Sequence, residues 1–193
     1  MRFLLFLLFF PLLVFAQPQP LQFQLEPGAI SVSVNGFYCF QPWAGGNNPT
    51  TPEFCDLDGD GDLDYFTGSQ LNYYWFFQNI GSFNFPNFQY ITNAFDSLYP
   101  VCPGYASESD IDFTDMDGDG DFDALLCNGI IGMARNTGTN TQWNFAVPET
   151  LFTTSNQYLI ATDMAAADID GDGDKDIFAG TYYAGGLTFF KNV

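Results

Sequence analysis

The chain has 193 residues, with 23 Asp+Glu against 4 Lys+Arg, no histidine and a formal charge of −19. Aromatic residues make up 19% of it, 23 of them phenylalanine, which supplies a core and excludes disorder for most of the chain. This charge cannot neutralise phosphates and is repelled by an anionic membrane, and without histidine neither a Ser-His-Asp triad nor an imidazole–zinc site can be built.

In chain order, Met1-Arg2 and the apolar run Phe3 to Phe15, ending Val14-Phe15-Ala16, read as a secretory signal peptide over residues 1–16, cleaved near Ala16. The run is shorter than the roughly 20 residues that span a bilayer, so membrane insertion is not expected. Cleavage removes Arg2 and leaves Arg135, Lys175 and Lys191 as the basic residues. The mature chain is then secreted or held at the cell surface. Residues 17–29, with Pro18, Pro20 and Pro27, read as a linker. Ile30 to Phe40 alternates as strands, either a partial first sheet unit or the completing strands of the last. Export makes Cys39, Cys55, Cys102 and Cys127 disulfide candidates, while buried free thiols in strands fit equally.

Three segments superimpose without a gap: Asp56-Leu-Asp-Gly-Asp-Gly-Asp-Leu-Asp64, Asp115-Met-Asp-Gly-Asp-Gly-Asp-Phe-Asp123 and Asp168-Ile-Asp-Gly-Asp-Gly-Asp-Lys-Asp176. A short apolar strand follows each: Tyr65-Phe66-Thr67, Ala124-Leu125-Leu126 and Ile177-Phe178-Ala179. Further on come Gln78-Asn79-Ile80-Gly81, Arg135-Asn136-Thr137-Gly138 and Lys191-Asn192-Val193. The copies run at about 53–95, 110–150 and 163–193.

Crowded carboxylates, with no lysine or arginine to pair with, repel by about 1 kcal/mol at 4 Å in water and about 4 at an effective dielectric of 20. A divalent cation reverses that balance. Calcium takes six to eight oxygens in a flexible shell, whereas magnesium demands a rigid octahedron. Carboxylates at loop positions 1, 3, 5 and 9, with a backbone carbonyl at 7, can wrap one calcium ion per loop, about three in all. Glycines at positions 4 and 6 permit the left-handed turns. An EF-hand needs a bidentate carboxylate at position 12, where Thr67, Leu126 and Ala179 stand, so that motif is rejected.

The repeated loop, its following strand and the Asn-x-Gly turn resemble the FG-GAP/VCBS repeat, the unit of integrin-α-like calcium-binding β-propellers and of many bacterial secreted proteins. The resemblance implies an all-β chain of about three propeller blades over residues 30–193, each loop in a hairpin between the first two strands of a blade. It implies side-chain ligands Asp56, Asp58, Asp60 and Asp64; Asp115, Asp117, Asp119 and Asp123; and Asp168, Asp170, Asp172 and Asp176. Asp62, Asp121 and Asp174 would offer mainly their carbonyl oxygens. A propeller has four to eight blades, so a partial ring from a longer protein is expected, with an open arc of about three to four blades or a ring completed by self-association as the alternatives.

Aromatic runs such as Tyr73 to Phe77 suit strands sandwiched between sheets more than a sugar-stacking platform built on Tyr73, Trp75, Trp143 or Tyr182. Outside the loops, Glu26, Glu53, Asp96, Glu108, Asp110, Asp112, Glu149 and Asp163 remain as carboxylates. Asp110 and Asp112 read as a solvated edge or an extra metal contact, not as catalysts. The expected function is a non-enzymatic extracellular scaffold or adhesion module for a protein or polysaccharide ligand. The alternative is an accessory propeller domain of a secreted polysaccharide-degrading enzyme whose catalytic part lies outside this chain.

Overall fold

The computed structural model describes residues 24, 30–39, 51–68, 73–95, 98, 109–181 and 186–193. The signal-peptide segment, nearly all of the linker, Glu26, Asp96, Cys102, Glu108 and Tyr182 lie outside the described residues. The described residues form thirteen strands and no α-helix, and no helix among them is long and apolar enough to cross a membrane.

Three antiparallel meanders follow one another. The first contains β3 (Pro52–Cys55), β4 (Asp64–Gly68), β5 (Tyr74–Asn79) and β6 (Asn87–Thr92). The second contains β7 (Asp110–Thr114), β8 (Asp123–Cys127), β9 (Ile131–Ala134) and the two-residue β10 (Glu149–Thr150). The third contains β11 (Asp163–Ala167), β12 (Asp176–Thr181) and β13 (Gly186–Phe190). The described strands form three separate sheets and no closed ring.

A hairpin of β1 (Ser31–Val34) and β2 (Phe37–Tyr38) adds to the first sheet. Here β1 lies parallel to β6, Ser31 opposite Asn87. Of the two placements open for Ile30 to Phe40, the completion of the third sheet is therefore excluded. The hairpin extends the first sheet beyond its own four strands. Its two-residue turn is Asn35-Gly36, both at positive φ (50° and 79°), the pairing a tight hairpin requires.

Two cores lie between the sheets, and β8 feeds both. Ala124 and Leu126 join Phe66, Tyr74, Phe76, Phe95, Ile111 and Phe113 between the first and second sheets. Leu125 and Cys127 point the other way, joining Ile131, Met133, Leu159, Met164 and Ile177. Alternate side chains leave opposite faces of a strand, so a strand covered on both sides reads as a continuous apolar run. That is why Ala124-Leu125-Leu126-Cys127 carries no polar residue, and all four are fully buried.

The aromatic run behaves similarly. Tyr74 and Phe76 are buried in the first core, and Phe66 stacks on Phe76 with centroids 4.7 Å apart. Trp75 and Phe77 face the opposite side, half-buried against Tyr65 and Tyr90. Trp143 packs edge-on against Phe76 at 6.2 Å and belongs to the core wall. Tyr73 is exposed, 39% accessible.

Glycine is required where backbones meet. A Cβ on Gly68 would sit 1.6 Å from the Ser109 carbonyl oxygen, at the junction of the first and second sheets. Thr51 Oγ donates to the same carbonyl at 3.0 Å.

Leu126→Ala is expected to cost about 2–5 kcal/mol, the range for truncating a buried leucine. Urea unfolding monitored by tryptophan fluorescence measures it, and a loss under 1 kcal/mol would contradict the central position given to β8.

Candidate metal centres

Each acidic loop connects the first two strands of its meander: β3 to β4, β7 to β8 and β11 to β12. The glycines at loop positions 4 and 6 have closely matching positive φ in all three, 72° and 96° at Gly59 and Gly61, 77° and 98° at Gly118 and Gly120, 75° and 102° at Gly171 and Gly173. Such angles are open to glycine and costly for other residues.

The first aspartate organises the turn. Asp115 accepts the Gly118 N–H at 2.7 Å and the Gly120 N–H at 3.1 Å, and Asp168 accepts from Gly171 and Gly173 at 2.7 and 3.2 Å. In the first loop Asp56 accepts only from Gly61, at 3.0 Å. The aspartate at loop position 5 accepts the N–H of the one at position 7 in every copy, Asp60 from Asp62, Asp119 from Asp121 and Asp172 from Asp174.

The ninth aspartate has a different task. Asp64, Asp123 and Asp176 are almost wholly buried. Each accepts the backbone N–H of the asparagine at the end of the third strand or just past it: Asn79 at 2.8 Å, Asn136 at 2.8 Å and Asn192 at 2.9 Å. The second oxygen of Asp123 takes the Met116 N–H and that of Asp176 the Ile169 N–H. These asparagines form their own turns. Asn79 accepts from Gly81 and Asn87, and Asn136 from Gly138 and Asn144. A Cβ on Gly138 would lie 2.1 Å from the Gln142 carbonyl oxygen, which explains the glycine of the Asn-x-Gly turn.

One contact departs from the expectation that the loops lack a cationic partner. The residue before each asparagine reaches the third loop position: Gln78 Nε2 donates to Asp58 at 2.9 Å, Arg135 to Asp117 at 2.8 Å, and Lys191 Nζ to Asp170. Lys191 also lies 3.3 Å from Asp172, and Arg135 Nε is 3.5 Å from Glu149. Two of the three loops are therefore paired with a base. The signal was the column Gln78, Arg135, Lys191 in the aligned copies, where the residue types differ but the offset from asparagine does not.

Carboxylate oxygens of Asp56, Asp58 and Asp60 converge within 4.8 Å of one another, as do those of Asp168, Asp170 and Asp172. In the second loop the converging set is Asp115, Asp117 and Asp123. These clusters can hold a metal ion. Among the described residues, Asp56 Oδ1, Asp62 Oδ1, Asp64 Oδ2 and Asp121 Oδ1 are buried with no hydrogen-bond partner. An unpartnered buried carboxylate oxygen is costly, and a cation in the loop would relieve it. Asp119 and Asp174 are exposed, outside these three-carboxylate sets, and Asp64 and Asp176 likewise act as backbone acceptors outside them. Burial, opposed by the Asn79 N–H and reinforced by Asp58, Asp60 and Asp62, pushes the Asp64 carboxyl up to about 7. Burial first and the neighbouring loop carboxylates second also raise Asp62 and Asp121.

Asp110 and Asp112 are not a solvated edge. Both project from β7 to the next sheet, where Asp110 accepts the Met164 N–H and Asp112 the Ala166 N–H, each at 3.1 Å. Asp110 is only 6% accessible, and its carboxyl is pushed up to about 7 by burial and by Asp163 beside it, against the opposing Met164 N–H. Glu53, half-buried, also rises to about 7, through burial and repulsion from Asp112. Cys39, Cys55 and Cys127 are free thiols; Cys55 and Cys127 are buried in β3 and β8, as the free-thiol alternative has it, whereas Cys39 is exposed and lies outside the strands. Burial pushes Cys55 and Cys127 up to about 12, which keeps them protonated and inert. A cavity of about 550 Å³ beside the second and third loops is lined by Met133, Leu151, Ile177 and Phe190 together with Arg135, Lys175 and Lys191.

No protein-family model, characterised protein or solved structure matches the chain.

The raised carboxyls make stability depend on pH with a defined sign. Glu53 and Asp110 hold protons in the folded chain up to about pH 7, whereas unfolded carboxyls release them near pH 4. The native state binds more protons across that window, so stability falls as pH rises from about 4 to 7. In chelator, the melting temperature is expected to be higher at pH 5 than at pH 8, with a shallower slope in Asp110→Asn. Equal or higher stability at pH 8 would refute the assignment.

Proposed function

We propose that the chain is a secreted, calcium-binding repeat protein of FG-GAP/VCBS type, with its three meanders as propeller blades. It acts as an extracellular scaffold or ligand-binding module without catalysis of its own. The observation that carries this reading is the threefold recurrence of one geometry. The same hairpin position, glycine angles and position-nine aspartate bond occur in every copy, around three carboxylates that converge within 4.8 Å of one another. Solvated acidic turns have no reason to keep a register of this kind.

Calcium suits these loops because it accepts irregular shells of carboxylate and carbonyl oxygens. Its role is in folding. The loop starts the second strand of each sheet, so an ion that closes the loop also holds that strand against the first and third. At ten times its dissociation constant, an ion contributes about 1.4 kcal/mol per site. Three sites give roughly 4 kcal/mol, a large part of the usual 5–15. The ligand is an extracellular protein or polysaccharide. Nucleic acid is disfavoured by the charge of −19.

Removing calcium with a chelator at pH 7.5 is expected to lower the melting temperature by roughly 8–16 °C, given about 2–4 °C per kcal/mol for a chain of this size. Differential scanning calorimetry with and without 1 mM calcium decides it. Identical melting curves, with no heat of uptake on titration, would remove the reading.

A further inference from the structure

We propose that the residue before each asparagine ranks the three loops by their affinity for a divalent cation, the first loop binding most tightly, the second less and the third least. Arg135 and Lys191 are tethered counter-cations that an incoming ion must displace. This rests on the calcium reading above and adds an order and a mechanism to it.

The geometry of the three positions is equivalent. The ninth aspartate holds the asparagine N–H at 2.8–2.9 Å in every copy, which fixes the backbone of the preceding residue beside the loop. From there Gln78, Arg135 and Lys191 each donate to the Oδ2 atom of the aspartate at loop position 3, Asp58, Asp117 and Asp170. The contact is the same, but the charge delivered differs. Gln78 is neutral and leaves five uncompensated aspartates in its loop. Arg135 brings one positive charge to Asp117 and shares it with Glu149. Lys191 sits on Asp170 and Asp172 together, two of the three carboxylates that converge in the third loop.

The buried oxygens point the same way independently. Three unpartnered buried carboxylate oxygens belong to the first loop, Asp56 Oδ1, Asp62 Oδ1 and Asp64 Oδ2, and one to the second, Asp121 Oδ1. Asp62 and Asp64 are themselves more than nine-tenths buried. The first loop thus has the greatest unmet demand for a cation and the weakest internal substitute. The third has mostly exposed carboxylates that water and Lys191 already serve. An ion entering the second or third loop must break an ion pair and then work against the charge of the displaced side chain, which its tether keeps close.

The magnitude is bounded by exposure. Arg135 and Lys191 side chains are 47% and 45% accessible. Partly exposed pairs shift an equilibrium by up to about fivefold, and repulsion between the retained cation and the ion adds to this, for about three- to tenfold per loop.

Isothermal titration of the full chain, stripped of metal, with calcium chloride tests this. The wild type is expected to show one tight and two weaker sites. Arg135→Gln and Lys191→Gln each tighten one weaker site about three- to tenfold, Gln78→Lys weakens the tight site by a similar factor, and Arg135→Lys keeps the wild-type affinity. Calcium uptake by the wild type with affinities unmoved in Arg135→Gln, Lys191→Gln and Gln78→Lys would overturn the ranking and leave the calcium reading standing. Tightening in Arg135→Lys would also overturn it, because charge would then not be the cause. No uptake at any loop in the wild type would remove the calcium reading and the ranking with it.

Discussion

A single buried hydrogen bond, repeated three times, ties this structure together. The carboxylate that ends each acidic loop accepts the N–H of an asparagine lying one strand further on. A charged group in that position loses its hydration, and the backbone N–H compensates with a bond stronger than a neutral pair would make. The bond closes a circuit. The loop leads into the second strand, the second strand turns into the third, and the third ends at the asparagine that returns to the loop. Disturbance of the loop therefore reaches the sheet without any intermediary, and the state of the acidic cluster becomes part of sheet stability. A surface turn with the same residues would have no such reach.

The second sheet shows how the meanders depend on one another. Its β8 strand is covered on both faces, so it contributes side chains to two cores and cannot shift register without emptying both. The polar edges need a separate solution. β11 is an edge strand, and the N–H groups of Met164 and Ala166 point away from its partner β12. Asp110 and Asp112, two residues apart on β7, match the spacing of those N–H groups and accept both. Because Asp110 meets Met164 and Asp112 meets Ala166, β7 and β11 run in the same direction, and the loops that follow them leave from the same end. A carboxylate row is a defensible edge cap, since it satisfies the backbone and repels a foreign strand.

Much of this was readable in the residues. The nine-residue loop repeats with a fixed phase, and its glycines state where the backbone turns left. The following apolar runs announce strands, and the unbroken Ala124 to Cys127 run belongs to the one buried on both faces. The Asn-x-Gly turns mark the ends of the third strands. Other features left no local trace. Gln78, Arg135 and Lys191 share a position without sharing a chemistry, so only the ninth-aspartate bond reveals that they are equivalent. Asp110 and Asp112 look like a solvent-facing alternation because their partners lie on another sheet, 54 residues away. The parallel placement of β1 on β6 is likewise a long-range pairing, and nothing in Ser31 to Val34 specifies which edge it should join.

Aspartate serves three purposes here, and the surroundings decide among them. At the ninth loop position it is buried beside one or two backbone N–H groups and acts as a structural acceptor. On β7 it faces an unpaired strand edge and caps it. At positions one, three and five of the first and third loops the side chains meet one another, backbone donors cannot satisfy every oxygen, and the remaining charge calls for a cation. The protein supplies part of that charge from the residue that follows its third strand in two copies, and none from the equivalent position in the first. The repeats thus share one architecture but not one electrostatic state. The difference rests on a single column of three residues, whose amide or base meets the same carboxylate oxygen each time.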